Sequence, residues 1–467
     1  MKRLLFALSL LSASQVGLAQ QQTFSPYSEF GVGELQQTGL LNQIGMGGVG
    51  IALYDRYHIH GINPAGNAVV QFTTLDFSVQ IRQQAFTSDL SSATFKAGGL
   101  NQLAFLFTKP NLNFAITGGL APYSRTGYEV RRLVTLTNDP DGRTLLSEAQ
   151  GNGGLNRFYL GTGLRLSRQL NAGLEVSYLF GQVERNFNTA FANLSSDGRY
   201  LGIQDGTQTQ ITETNKPQNL RTRLGLQFGD TLYRVSTRME RMRERVVGQD
   251  SARYAHKLNQ MRKEQRSYTE YRLGLIADLP VWAGVSRDVV LRNNGGGSTQ
   301  RSISDTLSRG KIAGATFPYT LGVGIGLQRD LRYQLGLDVS LQNWSQYELD
   351  GVKQGLEDRL QVGLGGEWYP NRETGNFSAP FYSRIAYRAG VFYEQTYLKF
   401  GSDRIQAYGA SVGLGIPIIR GSANKLDIAA QWAQQGTTRN SLVRENNLRL
   451  MVGISFTERW LTQRKYR

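Results

Sequence analysis

Strict alternation of apolar and polar residues is the dominant pattern along this chain. One segment shows it without interruption, reading Leu75, Asp76, Phe77, Ser78, Val79, Gln80, Ile81 and Arg82. A period of two places the apolar side chains on one face of a β-strand and the polar side chains on the other. The pattern returns in many later segments, for example 220–228, 333–342 and 448–456. It therefore predicts a chain built almost entirely of strands.

Alternating segments can be counted along the sequence, and there are fourteen. Their approximate bounds are 72–82, 101–108, 112–120, 155–167, 171–182, 219–229, 268–279, 317–328, 332–342, 357–368, 382–394, 406–416, 425–434 and 446–457. Their polar face is rich in Gly, Gln, Arg and Asp, and about ten residues are enough for a tilted strand to cross a bilayer. These features favour an all-β fold, a transmembrane antiparallel β-barrel of 14 strands over 71–457, rather than a secreted sandwich.

The lengths of the connections between segments indicate how such a barrel is oriented. Very short connections join even-numbered to odd-numbered segments at 109–111, 168–170 and 329–331. Long polar connections join odd-numbered to even-numbered segments at 121–154, 183–218 and 280–316. Outer-membrane barrels have short periplasmic turns and long outer loops, and an even strand number leaves both chain ends in the periplasm. We therefore expect both ends of this chain to be periplasmic.

One connection on the short-turn side is long, at 231–266, and it is strongly basic. Apolar residues within it repeat at helical spacing, as in Val235, Met239, Met242 and Val246. This spacing predicts a helical hairpin in the periplasm. One interpretation is a solvated insertion with no partner. The other is a docking element for a periplasmic or envelope protein, with basic contacts at Arg238, Arg241, Arg245, Arg253 and Lys257.

The N-terminal residues predict export. Positive charge at Lys2 and Arg3, a short apolar run and small residues before Gln20 form a secretory signal over 1–19. Residues 20–70 then lack the alternating pattern and are predicted to fold as an N-terminal hatch, or plug, in the lumen of the barrel. No Cys follows the predicted cleavage site, so a bacterial lipoprotein is not expected.

Composition narrows the possible chemistry. The 467 residues include no Cys and three His, which excludes a disulfide scaffold, a Cys metal site and thiol catalysis. No apolar run reaches the length of a transmembrane helix. The formal net charge of +16 is spread along the chain, so we expect contacts with lipopolysaccharide head groups and other outer-membrane lipids rather than with nucleic acid. No clustered Asp, Glu and His set suggests catalysis, a metal or a cofactor, and the protein is predicted not to be an enzyme.

A glycine-rich stretch at 45–50 formally matches the G-x-G-x-x-G pattern of dinucleotide sites. The preceding residues 36–44 do not form a buried strand, and the predicted compartment lacks nucleotides, so this interpretation is rejected. A glycine-rich segment of this kind instead indicates close packing inside a larger structure.

Several short motifs resemble those of a known family. The stretch 47–52, followed by Asp55 and by Asn63, Pro64, Ala65 and Gly66, resembles the N-terminal hatch of the FadL/TodX family of outer-membrane hydrophobic-compound transporters. The stretches 25–33, 413–417 and 453–460 resemble a Bacteroidota branch of that family. The resemblance covers most of the chain.

The resemblance implies a fourteen-stranded barrel that takes up hydrophobic molecules such as long-chain fatty acids. It implies a gate in the hatch, formed here by Gly47, Gly48, Gly50, Asn63, Pro64 and Ala65. It also implies a lateral exit at a kink in the third strand, where this chain has Gly118, Gly119 and Pro122. Because Pro lacks a backbone donor and Gly weakens a strand, these residues fit such a break, although they also fit an ordinary strand end.

Two features depart from the classical transporters, namely the basic insertion and a tail at 458–467 after the last strand. Two functions therefore remain open. A passive channel for hydrophobic molecules predicts an apolar cavity beside the Asn63 motif and a gap near Gly118. A structural or accessory barrel subunit of an outer-membrane assembly or secretion complex predicts a sealed wall, a polar plugged lumen and protein partners. A polar-solute porin is disfavoured, because the hatch would block an aqueous pore.

Overall fold

The computed structural model describes residues 23–89, 91–108, 113–136, 143–195, 200–234, 267–294, 303–371, 380–418 and 424–458. These residues form one closed antiparallel barrel of 14 strands, which confirms the predicted fold class and strand number. Closure occurs where the last strand pairs with the first, with Arg444 opposite Thr87 and Glu458 opposite Thr73. Within the described residues, no helix is both long enough and apolar enough to span a membrane.

Each predicted segment corresponds to one barrel strand. The strands are β1 (Thr73–Thr87), β2 (Ser92–Thr108), β3 (Phe114–Thr135), β4 (Thr144–Arg165), β5 (Leu170–Leu194), β6 (Tyr200–Arg234), β7 (Ser267–Asn294), β8 (Thr320–Arg329), β9 (Tyr333–Gln342), β10 (Arg359–Trp368), β11 (Ala386–Phe400), β12 (Asp403–Pro417), β13 (Lys425–Gln435) and β14 (Arg444–Glu458).

The wall has its apolar side chains on the outer face and its polar side chains on the inner face, which is the reverse of the arrangement in soluble proteins. On β1, the apolar side chains of Phe77, Val79 and Ile81 are exposed on the outer face, with exposed fractions of 37%, 42% and 62%. The polar side chains of Ser78 and Gln80 between them, and of Arg82 after them, are buried on the inner face. An apolar exterior and a polar interior are typical of a barrel whose outer face contacts lipid.

The three connections predicted as long polar loops are largely strand, so that prediction is wrong. Strands β3 to β7 extend well beyond their predicted ends, and an accessory strand, Ile303–Thr316, pairs with the end of β7. We call this extension the tall wall, its side of the barrel the tall end, and the opposite side the short end. In water both faces of such hairpins can be polar, so the alternation that reports a strand in lipid is lost there.

Several predicted features lie outside the described residues. These are the signal at 1–19, the insertion from 235 to 266 with its proposed docking residues, and the tail after Glu458. The flanks of the insertion are described, and they are still paired, with Arg234 opposite Ser267 at the short end.

The N-terminal segment from 23 to 70 lies against the inner face of the wall. Its regular elements are short, comprising the 3₁₀-helices Pro26–Glu29 and Pro64–Val69, the strand Glu34–Leu35 and the helical turn Leu41–Ile44. Most of its residues are buried. Since such short elements have little core of their own, their burial comes from contact with the barrel, and we call this segment the hatch.

Candidate functional site

The Asn-Pro-Ala motif of the hatch rests on a row of glycines. Gly163, Gly173 and Gly225 are directly opposite one another on three neighbouring strands, β4 to β6. A Cβ atom added to Gly173 would lie 2.3 Å from the backbone nitrogen of Ala65. One added to Gly225 would lie 2.1 Å from the side-chain oxygen of Asn63. Only glycine permits this approach, because any side chain would displace the motif.

The glycine-rich stretch of the hatch rests on a second set of wall glycines, on β7 to β11. Here a Cβ added to Gly365 would lie 1.9 Å from the carbonyl oxygen of Met46, and one added to Gly274 would lie 2.2 Å from that of Ile51. We define the glycine seat as the nine wall glycines whose added Cβ would lie within 2.8 Å of a hatch atom in these two places: Gly163, Gly173, Gly225, Gly274, Gly324, Gly326, Gly336, Gly365 and Gly390.

Asn63 fixes the hatch both internally and to the wall. Its side-chain oxygen accepts a hydrogen bond from the Ala65 backbone at 3.0 Å and so caps the short helix that follows. Its side-chain nitrogen donates to the carbonyl oxygen of Ile51 at 2.8 Å and to that of Leu226 on β6 at 3.2 Å. This residue therefore holds two hatch segments and one wall strand together.

The predicted gate glycines are held by polar side chains of the wall. Gly47 donates its backbone N–H to the hydroxyl of Ser411 at 2.8 Å. Gly50 and Ile51 both donate to one carboxylate oxygen of Asp338, at 2.6 and 2.8 Å. Gly47 and Gly48 have positive φ values of 74° and 79°, which other residues adopt only with strain. The gating role of these residues stays a prediction.

Many of the charged side chains on the inner face of the wall form ion pairs. Five arginines of the inner face carry these ion pairs, which join Arg82 to Glu34, Arg157 to Glu175, Arg223 to Asp278, Arg359 to Glu394, and Arg388 to both Glu367 and Asp427. Two of the pairs involve the hatch directly. In the sequence these arginines occupy polar positions of the alternating pattern, but no sequence pattern indicates which carboxylates they pair with.

The two ion pairs that hold the hatch lie at different heights. Arg223 binds Asp278 through two hydrogen bonds of 2.5 and 2.8 Å and donates to the hatch carbonyl of Ile62 at 3.0 Å. Glu34, in the hatch strand, accepts from Arg82 at 2.6 and 2.8 Å. Glu34 is buried, which by itself raises its pKa, but the contact with Arg82 holds that pKa below its ordinary value.

The cavities between the hatch and the wall are small, and their linings mix polar and apolar atoms. Three of them have volumes of about 50, 90 and 60 Å³. None of these three is lined by Asn63, Pro64 or Ala65. Sites for small organic molecules typically measure about 300–1,000 Å³ and are mainly apolar. The apolar cavity expected beside the Asn63 motif in a channel is therefore not among them.

Aromatic residues close the mouth of the barrel at the tall end. We define the mouth cluster as the buried residues Tyr27, Val32, Leu155, Leu179, Phe317, Trp344, Tyr347, Tyr397, Leu398 and Ile405. The rings of Trp344 and Tyr397 stack at a centroid distance of 4.8 Å, and Phe400 packs against Phe30 of the hatch at 5.0 Å. Residues of the hatch and of the wall thus pack against one another at this end of the barrel.

The wall is interrupted beside the residues of the predicted lateral exit. Strands β2 and β3 pair only from Leu103 opposite Leu120 to Thr108 opposite Ala115. Gly118 and Gly119 lie within this ladder, whereas Pro122 lies just beyond its end, next to a bulge in the pairing with β4. Beyond this point the hatch pairs with β3 instead, with Leu35 opposite Ser124. Use of the interruption as an exit stays a prediction.

The histidines of the hatch make hydrogen bonds within it. Nδ1 of His58 lies 2.7 Å from the carboxylate of Asp55, and Nε2 of His60 accepts the Asp55 backbone N–H at 2.8 Å. Burial lowers the pKa of His60 to about 4. Within the described residues there is no group of three or more His, Asp or Glu side chains arranged to hold a metal ion.

Comparisons with known proteins place the chain in a family and a fold. A family model described as BamG matches residues 1–467, which is the whole chain. No curated protein sequence matches it significantly.

Two toluene transporters and a FadL homologue are among the solved structures that resemble this one. The toluene transporter TodX of P. putida is 11% identical with a TM-score of 0.54, over 92% of this chain and 100% of that one. The toluene transporter TbuX of Ralstonia pickettii is 14% identical with a TM-score of 0.52, over 89% of this chain and 97% of that one. A FadL homologue of Pseudomonas aeruginosa is 11% identical with a TM-score of 0.51, over 91% and 99%. At these identities the similarity establishes the fold alone.

Proposed function

The chain belongs to the BamG family, and from its filled lumen we propose that it is an accessory barrel subunit of an outer-membrane assembly. The observation that carries this proposal is the closure of the barrel at two heights, by the glycine seat and by the mouth cluster. A channel for small apolar molecules needs an apolar cavity of roughly 300 Å³ or more, whereas the cavities described between the hatch and the wall measure at most about 90 Å³.

We propose that the barrel lies in the outer membrane with the short end in the periplasm and the tall wall outside. The short turns at one end and the long extensions at the other support this orientation. The predicted signal at 1–19 supports export, and lipopolysaccharide and other outer-membrane lipids would then contact the apolar exterior. We propose no enzymatic activity, cofactor or nucleic-acid partner, since the carboxylates nearest the hatch are engaged in ion pairs or hydrogen bonds.

A pull-down tests the subunit proposal, and the structure suggests a variant that removes the basic insertion without altering the barrel strands. Because Arg234 and Ser267 are directly opposite each other, an Asn-Gly turn can replace residues 235–266 without disturbing β6 and β7. A matched control shortens 372–379, a connection at the same end of the barrel. We expect the natural protein and the control to retain stoichiometric protein partners after extraction from the membrane, and the insertion variant to lose them if the basic insertion is the docking element.

The same three samples also show which result would contradict the proposal. A barrel that carries bound fatty acid or another apolar molecule, and no protein partner in any of the three forms, would contradict the subunit function. Partners retained by all three forms would keep that function and move the docking surface away from the insertion.

A second candidate function, a passive channel for hydrophobic small molecules such as long-chain fatty acids, is favoured by one observation. The ladder between β2 and β3 ends where the family resemblance places a lateral exit. Passage there would require the hatch strand to leave β3. Leu35 and Ser124 are directly opposite each other, so cysteines at these positions have a separation suited to a disulfide, and the chain has no other Cys.

This disulfide gives a direct test of the channel. Vesicles containing the Leu35→Cys, Ser124→Cys variant are tested for toluene and fatty-acid uptake before and after reduction. A channel through the interruption predicts uptake only after reduction. The subunit function predicts no uptake above that of empty vesicles in either state.

A further inference from the structure

One edge of the barrel wall has no neighbouring strand within the part of the chain that the structure describes. From Ser92 to Gln102, β2 pairs with β1 on one side, but its ladder with β3 begins only at Leu103. A bulge at Asn101, whose side chain donates to the hydroxyl of Ser78 at 3.0 Å, marks the change. Bulges often end pairing at such places.

Part of this open edge lies at the level of the lipid-facing belt. Gly98 is opposite Ile81 and Leu100 is opposite Val79, and both β1 side chains are exposed on the apolar outer face. The edge from 98 to 102 is therefore at membrane depth, unlike the residues before it, where Lys96 is opposite Gln83. The backbone groups of 98–102 that point away from β1 have no hydrogen-bond partner among the described residues.

Unpaired backbone groups at this depth are costly. Water is absent from the hydrocarbon region and lipid tails offer no hydrogen bonds, so lipid-exposed sheet edges do not persist there. The hatch supplies hydrogen-bond partners on only one side of the opening, because its strand Glu34–Leu35 pairs with Ser124 and Arg125 of β3 and not with β2. Behind the opening, Gln36, Gln37 and Gln102 help to line the cavity of about 50 Å³, whose lining is mainly polar.

We propose that the opening between β2 and β3 is a docking site for an extended strand of a second, different outer-membrane protein. This inference deepens the accessory-subunit function and rests on it. An added strand supplies backbone donors and acceptors along its whole length, which an apolar ligand cannot do. The hatch strand already shows that the β3 side of the opening accepts a strand. Gly98 and Gly99 carry no side chains that would hold such a strand away from β2.

Geometry disfavours a second copy of this chain as the occupant. Two copies inserted in the same orientation are related by an axis along the membrane normal, so their β2 edges would run in the same direction. The resulting parallel pairing is less stable per residue than the antiparallel pairing of the rest of the wall. A different chain has no such restriction.

Site-specific photo-cross-linking tests the proposal in intact cells. A photoreactive amino acid is placed at Leu100, beside the opening, and in a control at Leu335 on β9. Leu335 is an outward-facing residue, 50% exposed, whose strand is paired on both sides. We expect a discrete protein adduct of higher mass at Leu100 and none at Leu335, with a strand peptide of another outer-membrane protein identified by mass spectrometry. Adducts only with lipid, with the hatch or with a second copy would overturn the proposal.

A pair of substitutions gives an independent result. Lysine on a strand edge blocks pairing, whereas on the lipid face of a strand that is paired on both sides it lowers stability without removing a pairing edge. Leu100→Lys should therefore abolish co-purification of the cross-linked partner, and Leu335→Lys should preserve it. Retention or loss of the partner in both variants would count against docking at the opening. A partner that still co-purifies in the pull-down described above would then leave the subunit function standing and reject only this surface.

Discussion

The hatch is held in two places, and the two are built differently. At the glycine seat its backbone lies close to the backbone of the wall, and Cβ atoms added to Gly173, Gly274, Gly365 and Gly390 would come within 2.3 Å of it. At the mouth it is held by side chains, through the ion pair of Glu34 with Arg82 and through aromatic rings. Small cavities lie beside Glu34 and beside Gln36 to Gly39.

This difference indicates which part of the hatch is able to move. Close-packed backbone can shift only as a unit, whereas side-chain contacts can be exchanged one at a time. Any opening of this barrel is therefore expected to begin with residues 23–38, while the Asn63 motif and the glycine-rich stretch stay in place. The predictions below test this order, from the largest expected effect to the smallest.

The largest effect is expected for Arg223→Met, which removes the cation that joins the hatch to the wall. The substitution leaves Asp278 buried without its two closest hydrogen bonds and removes the donor to the hatch carbonyl of Ile62. Breaking a buried ion pair in this way costs about 3–5 kcal/mol. Urea unfolding in detergent should show a correspondingly lower free energy of unfolding. An unchanged midpoint would mean that the seat does not depend on this pair.

Lowering the pH should destabilise the packed hatch, because His60 is protonated more readily in the unfolded chain. Burial lowers the pKa of His60 to about 4, whereas it titrates near 6.5 in the unfolded chain, so the unfolded state alone binds a proton between these values. The contribution to stability is complete above pH 6.5 and is lost as the pH falls towards 4, by about 3 kcal/mol in total. Melting temperatures measured across this range should fall less steeply for His60→Gln. Equal slopes would exclude His60 as the source.

A single methyl group should disturb the seat. Gly173→Ala places a Cβ 2.3 Å from the Ala65 backbone, and overpacking of this kind costs about 1–3 kcal/mol. Gly314→Ala in the accessory strand is the matched control, because nothing lies within 4 Å of its added Cβ. The two variants are compared by the temperature at which the folded barrel loses its fast mobility in gel electrophoresis. Equal melting temperatures for the two variants would mean that the hatch is not closely packed against Gly173.

The smallest effect is expected at the mouth. Phe24 stacks on Phe95 of β2 at a centroid distance of 4.6 Å, and such pairs contribute about 0.5–1.5 kcal/mol beyond burial. Phe24→Ala should increase protease cleavage near the N-terminus while leaving the melting temperature of the barrel nearly unchanged. If this variant lowered the melting temperature more than Gly173→Ala, the proposed order of the two regions would be reversed.

The strands could be predicted from the sequence because a lipid environment requires apolar and polar residues to alternate along each strand. Residues such as Leu75 and Phe77 must face outward, and their polar neighbours must face inward, so alternation reports each crossing. The same rule fails above the membrane. In the upper part of β5, for example, Asn186 and Asn188 share the strand with Phe187, and water tolerates either face, so this region was predicted as loop.

The site was predictable only in part, for a different reason. The motif around Asn63 and the glycine-rich stretch stand out in the sequence as tightly packed. Their wall partners, such as Gly173 and Gly365, look like any other glycine at a polar position until the strands are aligned. The anchor between Glu34 and Arg82 joins residues 48 positions apart, and no local pattern reports a contact of that range.

The distribution of the seat over the wall has a consequence for biogenesis. Its glycines lie on strands from β4, with Gly163, to β11, with Gly390, so opposite sides of the wall grip one short N-terminal segment. The spacing leaves no room for side chains to slide past, and a finished cylinder would therefore not admit this segment afterwards. We therefore expect the strands to assemble around the hatch, with the pairing of β14 with β1 as the last step.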